Sequence, residues 1–322
     1  MLGFMNILYK ISGLLSSHTA LFVGAAGVAA FFFPGLFAWV EAERQTAVLG
    51  IIMLTMGMTL STQDYKILAK RPFDIFIGAA AQYTIMPLAA FAVAHAFGLP
   101  KGFAVGLMLV GTCPGGVSSN IMSYLAKGDL AFSVGMTTAS TLLSPVMTPL
   151  LMLWLNGESV DVNAWGMFKS ILIVTLIPVG IGSLLNFALG ERKGYKSAMK
   201  IMPALSVIGL ACIVGGVTAH HGALFFESGI AIFAAIVLHN ALGYCGGYLA
   251  GKAFGMNFAQ KKTLSIEVGC QNAGLGTNLA GAHFSALPEA AVATAVACVY
   301  HSISGTVLAN IYAKIPDKDS GN

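Results

Sequence analysis

Apolar runs of roughly 20 residues recur along this 322-residue chain from residue 19 to residue 314, and each could cross about 30 Å of hydrocarbon. Only 9% of the residues are charged and 57% are hydrophobic, whereas an ordinary soluble domain is about 25% charged. A water-soluble globule of this size could not hide so much apolar surface. The runs also lack the alternation of membrane β-strands, so the sequence predicts an all-α polytopic membrane protein.

We predict ten transmembrane helices, preceded by an interfacial amphipathic helix over residues 4–16. The predicted spans are 19–40, 46–63, 73–97, 102–126, 129–155, 164–189, 200–219, 224–253, 261–285 and 288–314.

The basic residues support this count. The loops on one side of the ten-span arrangement carry 14 Lys and Arg residues, and those on the other side carry 3. Basic loops stay in the cytoplasm, so both termini are expected on the cytoplasmic face of a bacterial inner membrane. Because the basic residues are spread over short loops rather than one stripe, they do not indicate nucleic-acid binding.

The two halves of the chain share a weak internal repeat. Ala-Phe-Gly occurs at 96–98 and at 253–255, and Val110-Gly111 is echoed by Val268-Gly269 with an offset of 158 residues. Five spans per half is an odd number, so the halves are predicted to be inverted in the membrane. Inverted repeats with interrupted helices are typical of secondary transporters.

Spans 4 and 9 each contain a segment that disfavours a continuous helix. Span 4 carries Cys113-Pro-Gly-Gly-Val-Ser-Ser-Asn120, and span 9 carries Glu267-Val-Gly-Cys-Gln-Asn-Ala-Gly274. Proline lacks an amide donor, and glycine tolerates non-helical backbone. We therefore predict breaks in both spans, which free carbonyl oxygens for a cation and direct helix N-termini at an anion.

Glu267 is the acidic residue that the span assignment places well inside a membrane helix. A lone carboxylate in hydrocarbon costs several kcal/mol, so it needs a partner, and a bound cation would supply one. A protonated, hydrogen-bonded glutamic acid is the alternative. Polar oxygens that could join it lie near both breaks and on spans 3 and 5, where Ser133 and Thr137 share a helix face: Gln82, Ser118, Ser119, Asn120, Ser133, Thr137, Gln271 and Asn272. Ser133, Thr137 and Gln82 could instead make ordinary helix–helix hydrogen bonds.

Two histidines inside the spans are further polar positions. We expect His301 to line a substrate cavity and His239 to have a structural role. The five cysteines lie within apolar runs and form no C-x-x-C pair, which argues against a disulfide framework or a zinc site. No metalloprotease, serine-hydrolase or P-loop motif is present, so an enzyme is not expected.

These motifs resemble the bile acid:sodium symporters, in their bacterial branch. The resemblance covers roughly residues 5–314 and is most specific from Cys113 to Ala126, from Ser133 to Pro145 and from Ser265 to Gly274. It implies ten helices in a panel domain (1–63 and 164–219) and a core domain (73–155 and 224–314), with spans 4 and 9 broken and crossing. Residues 315–322 would form a cytoplasmic tail.

The resemblance also implies two sodium sites, with Na⁺ as the coupling ion and no other cofactor. The first would use Ser119, Asn120, Ser133, Thr137 and Glu267. The second would use Gln82, Glu267 and Gln271 with the carbonyls of Val268 and Cys270.

The substrate is expected between the two domains, near Val117, Ser118, Asn272, His301 and Ser302. Similar bacterial members tend to have Thr at position 117 and Asn at position 302, so the ion machinery matches better than the substrate region. The expected substrate is an organic anion, either bile acid-like or a small carboxylate such as pantoate.

The sequence therefore predicts a sodium-coupled symporter that works as a monomer in the lipid bilayer by alternating access. Three alternatives stay open at this stage. They are proton coupling through Glu267 with His301 as relay, an intramembrane enzyme using the same two residues, and a passive channel.

Overall fold

The computed structural model describes residues 2–315, apart from residues 117, 158 and 228, and this part of the chain is helical without named β-strands. A 3₁₀ turn spans Pro34–Leu36, and a π-helical stretch spans Leu172–Leu176. The helices are α1 (Leu2–Ser17), α2 (Thr19–Phe32), α3 (Ala42–Thr59), α4 (Thr62–Lys70), α5 (Pro72–Ala96), α6 (Lys101–Thr112), α7 (Ser118–Leu125), α8 (Leu130–Asn156), α9 (Ala164–Ile171), α10 (Ile177–Leu189), α11 (Lys193–Met199), α12 (Met202–Glu227), α13 (Gly229–Ala253), α14 (Phe258–Gly269), α15 (Ala273–His283) and α16 (Pro288–Lys314).

The helices confirm a multi-pass membrane protein. Within the described residues, six helical segments are long and apolar enough to cross a bilayer, and two bent pairs raise the number to eight. Ten spans were expected. The difference arises because α6, α7, α14 and α15 are each too short to span hydrocarbon alone. The six segments are Pro72–Ala96, Leu130–Asn156, Ala164–Leu189, Lys193–Phe225, Gly229–Ala253 and Pro288–Lys314.

Several predicted spans begin or end elsewhere than expected, and the first and the eighth have a clear local cause. The first was drawn over 19–40, but α2 stops at Phe32, because Phe33 precedes Pro34 and a residue before proline avoids helical geometry. The eighth was drawn from residue 224, but α13 starts at Gly229, whose φ of +64° favours glycine. The expected interfacial helix corresponds to α1, and the helices on either side of His18 are bent by 82°.

One compact unit comprises Met1–Thr62 and Ser170–Phe226. In it α3 packs closely on α10, because Gly182 presents no side chain where a Cβ would stand 2.6 Å from the Met58 nitrogen. The Asn186 amide then donates to the Leu60 carbonyl at 2.7 Å, which satisfies an acceptor just after α3 ends.

A second compact unit comprises Gln63–Lys169 and Glu227–Asn322, and it contains every predicted sodium-binding residue. An apolar cluster from α5, α8 and α14 lies in its core, including Met86, Phe132 and Leu264. Panel and core roles for the two units stay predictions.

Candidate functional site

Two helix interruptions meet inside the second unit. The chain is non-helical between α6 and α7 and again between α14 and α15, at the segments that the sequence marks as breaks. Gly115 and Gln271 form an isolated antiparallel bridge. The Gly116 N–H donates to the Cys270 carbonyl and the Asn272 N–H donates to the Pro114 carbonyl, both at 2.8 Å. Each break therefore supplies hydrogen-bond partners for backbone groups of the other break that have none within a helix.

Local sequence explains why the breaks form. Cys113 is extended, as expected before Pro114, and it ends α6. Gly116 lets the two backbones approach, since a Cβ there would stand 2.8 Å from the Gln271 carbonyl oxygen. On the other side, Asn272 caps α15 by accepting from the Leu275 N–H at 3.1 Å.

Glu267 lies at the centre of a buried oxygen cluster. The residue is 1% exposed, and its carboxylate accepts from Ser119 Oγ at 2.7 Å, from Thr137 Oγ1 at 2.8 Å and from Ser133 Oγ. Asn120 Oδ1 lies 2.9 Å from Ser133 Oγ and 3.2 Å from Thr137 Oγ1. The five residues predicted for the first sodium site thus meet at one place, although they come from α7, α8 and α14.

The cluster has more acceptors than protons. The hydroxyls of Ser119, Ser133 and Thr137 carry three protons. Within hydrogen-bonding reach of these hydroxyls lie five acceptor oxygens: both carboxylate oxygens of Glu267, Asn120 Oδ1 and the carbonyls of Gly116 and Ser133. The Gly116 carbonyl also accepts from the Ser119 N–H at 3.0 Å. Each hydroxyl is in reach of at least two of them but can donate to only one at a time. A positive ion would compensate the surplus of lone pairs, and hard cations prefer such ligands.

Only some of the residues predicted for the second sodium site contact one another. Gln82 Nε2 donates to Gln271 Oε1 at 2.7 Å, and Gln271 Nε2 donates to the Val268 carbonyl at 2.9 Å. The Cys270 carbonyl is instead held by Gly116. The described hydrogen bonds of Glu267 go to Ser119, Ser133 and Thr137 of the first predicted site. The described residues of the second predicted site therefore do not form one cluster.

The residues predicted for substrate binding lie near the breaks where the structure describes them; Val117 lies outside the described residues. Ser118 begins α7, and Asn272 precedes α15. The Gln271 N–H donates to His301 Nδ1 at 3.3 Å, so the neutral ring carries its proton on Nε2, a buried atom without a partner in the described residues. Ser302 donates back to the Cys298 carbonyl of its own helix at 3.1 Å.

Two further residues support the breaks, a role that was not predicted for either of them. Ser140 Oγ accepts from the Gly115 N–H at 3.2 Å, and Asn240 Nδ2 donates to the Gly269 carbonyl at 2.8 Å. Ser140 follows Thr137 by three residues and so lies on the same helix face, a signal that the sequence contained. His239, expected to be structural, pairs its Nε2 with the Met86 carbonyl at 3.1 Å.

Comparison with known proteins decides the family. Residues 46–228, more than half of the chain, match the family model described as "Sodium Bile acid symporter family". This chain is a member of that family. An uncharacterised sodium-dependent transporter of Bacillus subtilis (strain 168) is 43% identical over 319 residues, covering 99% of this chain and 98% of the relative.

More distant members of the sodium bile acid symporter family also match most of the chain. A probable chloroplastic sodium/metabolite cotransporter of Oryza sativa subsp. japonica is 37% identical over 99% of this chain and 78% of its own length. The ileal sodium/bile acid cotransporter of Oryctolagus cuniculus is 30% identical over 79% of this chain and 73% of its own length. The family and its named relatives are transporters, which confirms that this chain is a membrane transporter rather than an enzyme.

Proposed function

We propose that this protein is a sodium-coupled symporter that moves an organic anion across a bacterial inner membrane. The observation that carries the proposal is the proton-poor oxygen cluster around Glu267, located where two half-helix pairs are interrupted. A buried carboxylate surrounded by hydroxyl and amide oxygens has the chemistry of a sodium site. The matched family and the relatives described above are named for sodium or bile acid, which agrees with this chemistry.

In this proposal the first ion binds Glu267, Ser119, Asn120, Ser133 and Thr137. The second binds Gln82, Glu267, Gln271 and the carbonyls of Val268 and Cys270. The Cys270 carbonyl would use the lone pair that Gly116 leaves free, and the Gln82–Gln271 pair would reorganise. Such a reorganisation would link the second ion to the backbone that joins the two breaks. Sodium binding would then change the geometry of both half-helix N-termini.

The substrate is proposed to be a carboxylate held near Ser118, Asn272, His301 and Ser302, with Val117 completing the set. Two features support an anion here. Both α7 and α15 begin beside the breaks, and helix N-termini attract negative charge. In addition, the tautomer set by the Gln271 N–H makes His301 Nε2 a hydrogen-bond donor. Ions and anion would share the same ordered backbone, so each should tighten binding of the other.

The membrane arrangement follows from the same proposal. If α6 with α7 and α14 with α15 each cross the bilayer as a broken pair, the eight candidate spans become ten. The antiparallel bridge between Gly115 and Gln271 agrees with two inverted five-helix repeats. Both termini would be cytoplasmic, the protein would act as a monomer, and transport would proceed by alternating access.

Transport by the purified protein in liposomes tests the function. Uptake of radiolabelled pantoate and of taurocholate should exceed equilibrium when sodium is higher outside, and should fall to background when potassium replaces sodium at constant pH. Accumulation driven equally by a pH gradient without sodium would favour proton coupling through Glu267 instead. Equilibration without accumulation would indicate a channel, and absence of uptake for both anions under a sodium gradient would reject these two substrates.

A further inference from the structure

Lys262 is a buried cation on the same helix as Glu267. The residue is 2% exposed, although it is one of the 14 basic residues counted for the topology and lies at the start of the predicted ninth span. Its Nζ lies 4.9 Å from the centre of the Phe258 ring and donates to the Ala126 carbonyl at 2.9 Å. Removing an ammonium from water costs several kcal/mol, so these contacts must offset a large desolvation penalty.

The acceptor of Lys262 is the end of the half-helix α7. Gly128 N–H donates to the Ser123 carbonyl and Lys127 N–H donates to the Tyr124 carbonyl, while Lys127 adopts a φ of +53°. This is a Schellman motif, in which Ala126 is the C-cap. A positive charge at this position also stabilises the negative end of the α7 dipole.

The adjacent residue of α14 holds the start of α8. Thr263 Oγ1 accepts from the Asp129 N–H at 2.8 Å. Asp129 in turn caps α8 by accepting from the Phe132 N–H at 3.0 Å, and it accepts from Arg71 Nη1 at 2.6 Å. Residues 126–129, the corner between α7 and α8, are therefore tied to α14 through two neighbouring side chains.

This corner lies close along the chain to the oxygen cluster. Glu267 follows Thr263 by one helical turn, and Ser133 follows Asp129 by one turn. The three helices that meet at the corner are the three that provide the first predicted sodium set. We propose that Lys262 is a positioning residue for that site and acts by fixing the α7–α8 corner against α14. The proposal rests on the proposed function, because it takes the Glu267 cluster to be a sodium site.

Electrostatics alone predicts the opposite effect of removing Lys262. Glu267 follows Lys262 by five positions, a rise of about 7.5 Å along the helix. At this separation an ammonium repels a bound cation, so deleting its charge without any structural effect would tighten sodium binding. If Lys262 positions the ligands, its removal must weaken sodium binding instead. The direction of the change therefore separates the two roles.

The test is a sodium titration of thermal unfolding, with purified full-length protein and choline chloride holding the ionic strength constant. The sodium midpoint is defined as the apparent Kd that fits the rise in melting temperature with sodium concentration. K262M should raise the sodium midpoint about tenfold, the equivalent of about 1.4 kcal/mol. K262R keeps the charge and donors and should lie closer to wild type. K261M is the matched control, because the neighbouring Lys261 is half-buried and contacts the same ring at 6.0 Å; its midpoint should stay unchanged.

A purely structural lysine would lower the melting temperature of K262M without moving its sodium midpoint, and this result or a lower midpoint would overturn the proposal. If K262M does not fold, T263V tests the same contact between the α7–α8 corner and α14, because it removes the hydroxyl that accepts from the Asp129 N–H while keeping the side-chain shape. An unchanged sodium midpoint in T263V would then overturn the proposal. Wild-type protein without any sodium-specific shift would refute the proposed function itself, which keeps the two failures distinct.

Discussion

Replacing Glu267 by glutamine removes the charge of the oxygen cluster while keeping its shape. The amide oxygen can still accept from Ser119 and Ser133, and the Thr137 hydroxyl can turn to accept from the new amide N–H. A neutral amide is also easier to bury than a carboxylate. We therefore expect E267Q to fold with at least the sodium-free stability of the wild type.

Sodium binding should nevertheless be lost. A unit charge 4 Å from a cation contributes about 4 kcal/mol at an effective dielectric constant of about 20, and a coordinating oxygen is closer than that. At about 1.4 kcal/mol per factor of ten, E267Q should bind sodium at least about 1,000-fold more weakly. Sodium at about 100 times the wild-type Kd stabilises the wild type by about 2.7 kcal/mol, but at the same concentration the variant gains less than about 0.1 kcal/mol.

Thermal unfolding in sodium and in potassium measures this difference. Glu289→Gln is the control, because Glu289 lies in the first turn of α16 and outside the proposed ligand sets. It should keep the full sodium-dependent rise in melting temperature. If E267Q also keeps that rise with an unchanged midpoint, the cluster is not the sodium site and the reasoning fails.

Three further substitutions test separate parts of the site. S133A should weaken sodium binding by about tenfold or more, as expected when an oxygen that contacts a charged group is lost, and a sodium titration of unfolding would measure it. Q82L should lower the Hill coefficient of sodium-driven uptake from about two towards one, since cooperativity is limited by the number of sites; an unchanged coefficient would exclude Gln82 from a second site. G116A should lower the sodium-free stability by about 1–3 kcal/mol, because its Cβ would stand 2.8 Å from the Gln271 carbonyl oxygen; equal melting temperatures would contradict that contact.

Periodicity predicted the local parts of this structure well. Ser133 and Thr137 are four residues apart on α8 and both reach Glu267, as a shared helix face requires. The predicted spans 129–155 and 288–314 nearly coincide with α8 and α16. These features depend on neighbours within a few turns, which the sequence shows directly.

Contacts between distant segments were harder to predict. Lys262 was counted with the basic residues that set the topology. Its burial could not be predicted, because it depends on Ala126, which lies 136 residues away in the chain. The pairing of Gly116 with Cys270 likewise requires knowledge of which two breaks meet. Proline and glycine indicated that helices would be interrupted, but not which carbonyl groups each interruption would satisfy.

A high-resolution structure determined once in sodium and once in potassium tests the central claim most directly. We predict that the sodium structure contains an ion bound by the Glu267 carboxylate together with the hydroxyls of Ser119, Ser133 and Thr137, and that the potassium structure lacks it. The opposite result would be direct hydrogen bonds from these hydroxyls to the carboxylate in both structures, with no ion among them at saturating sodium.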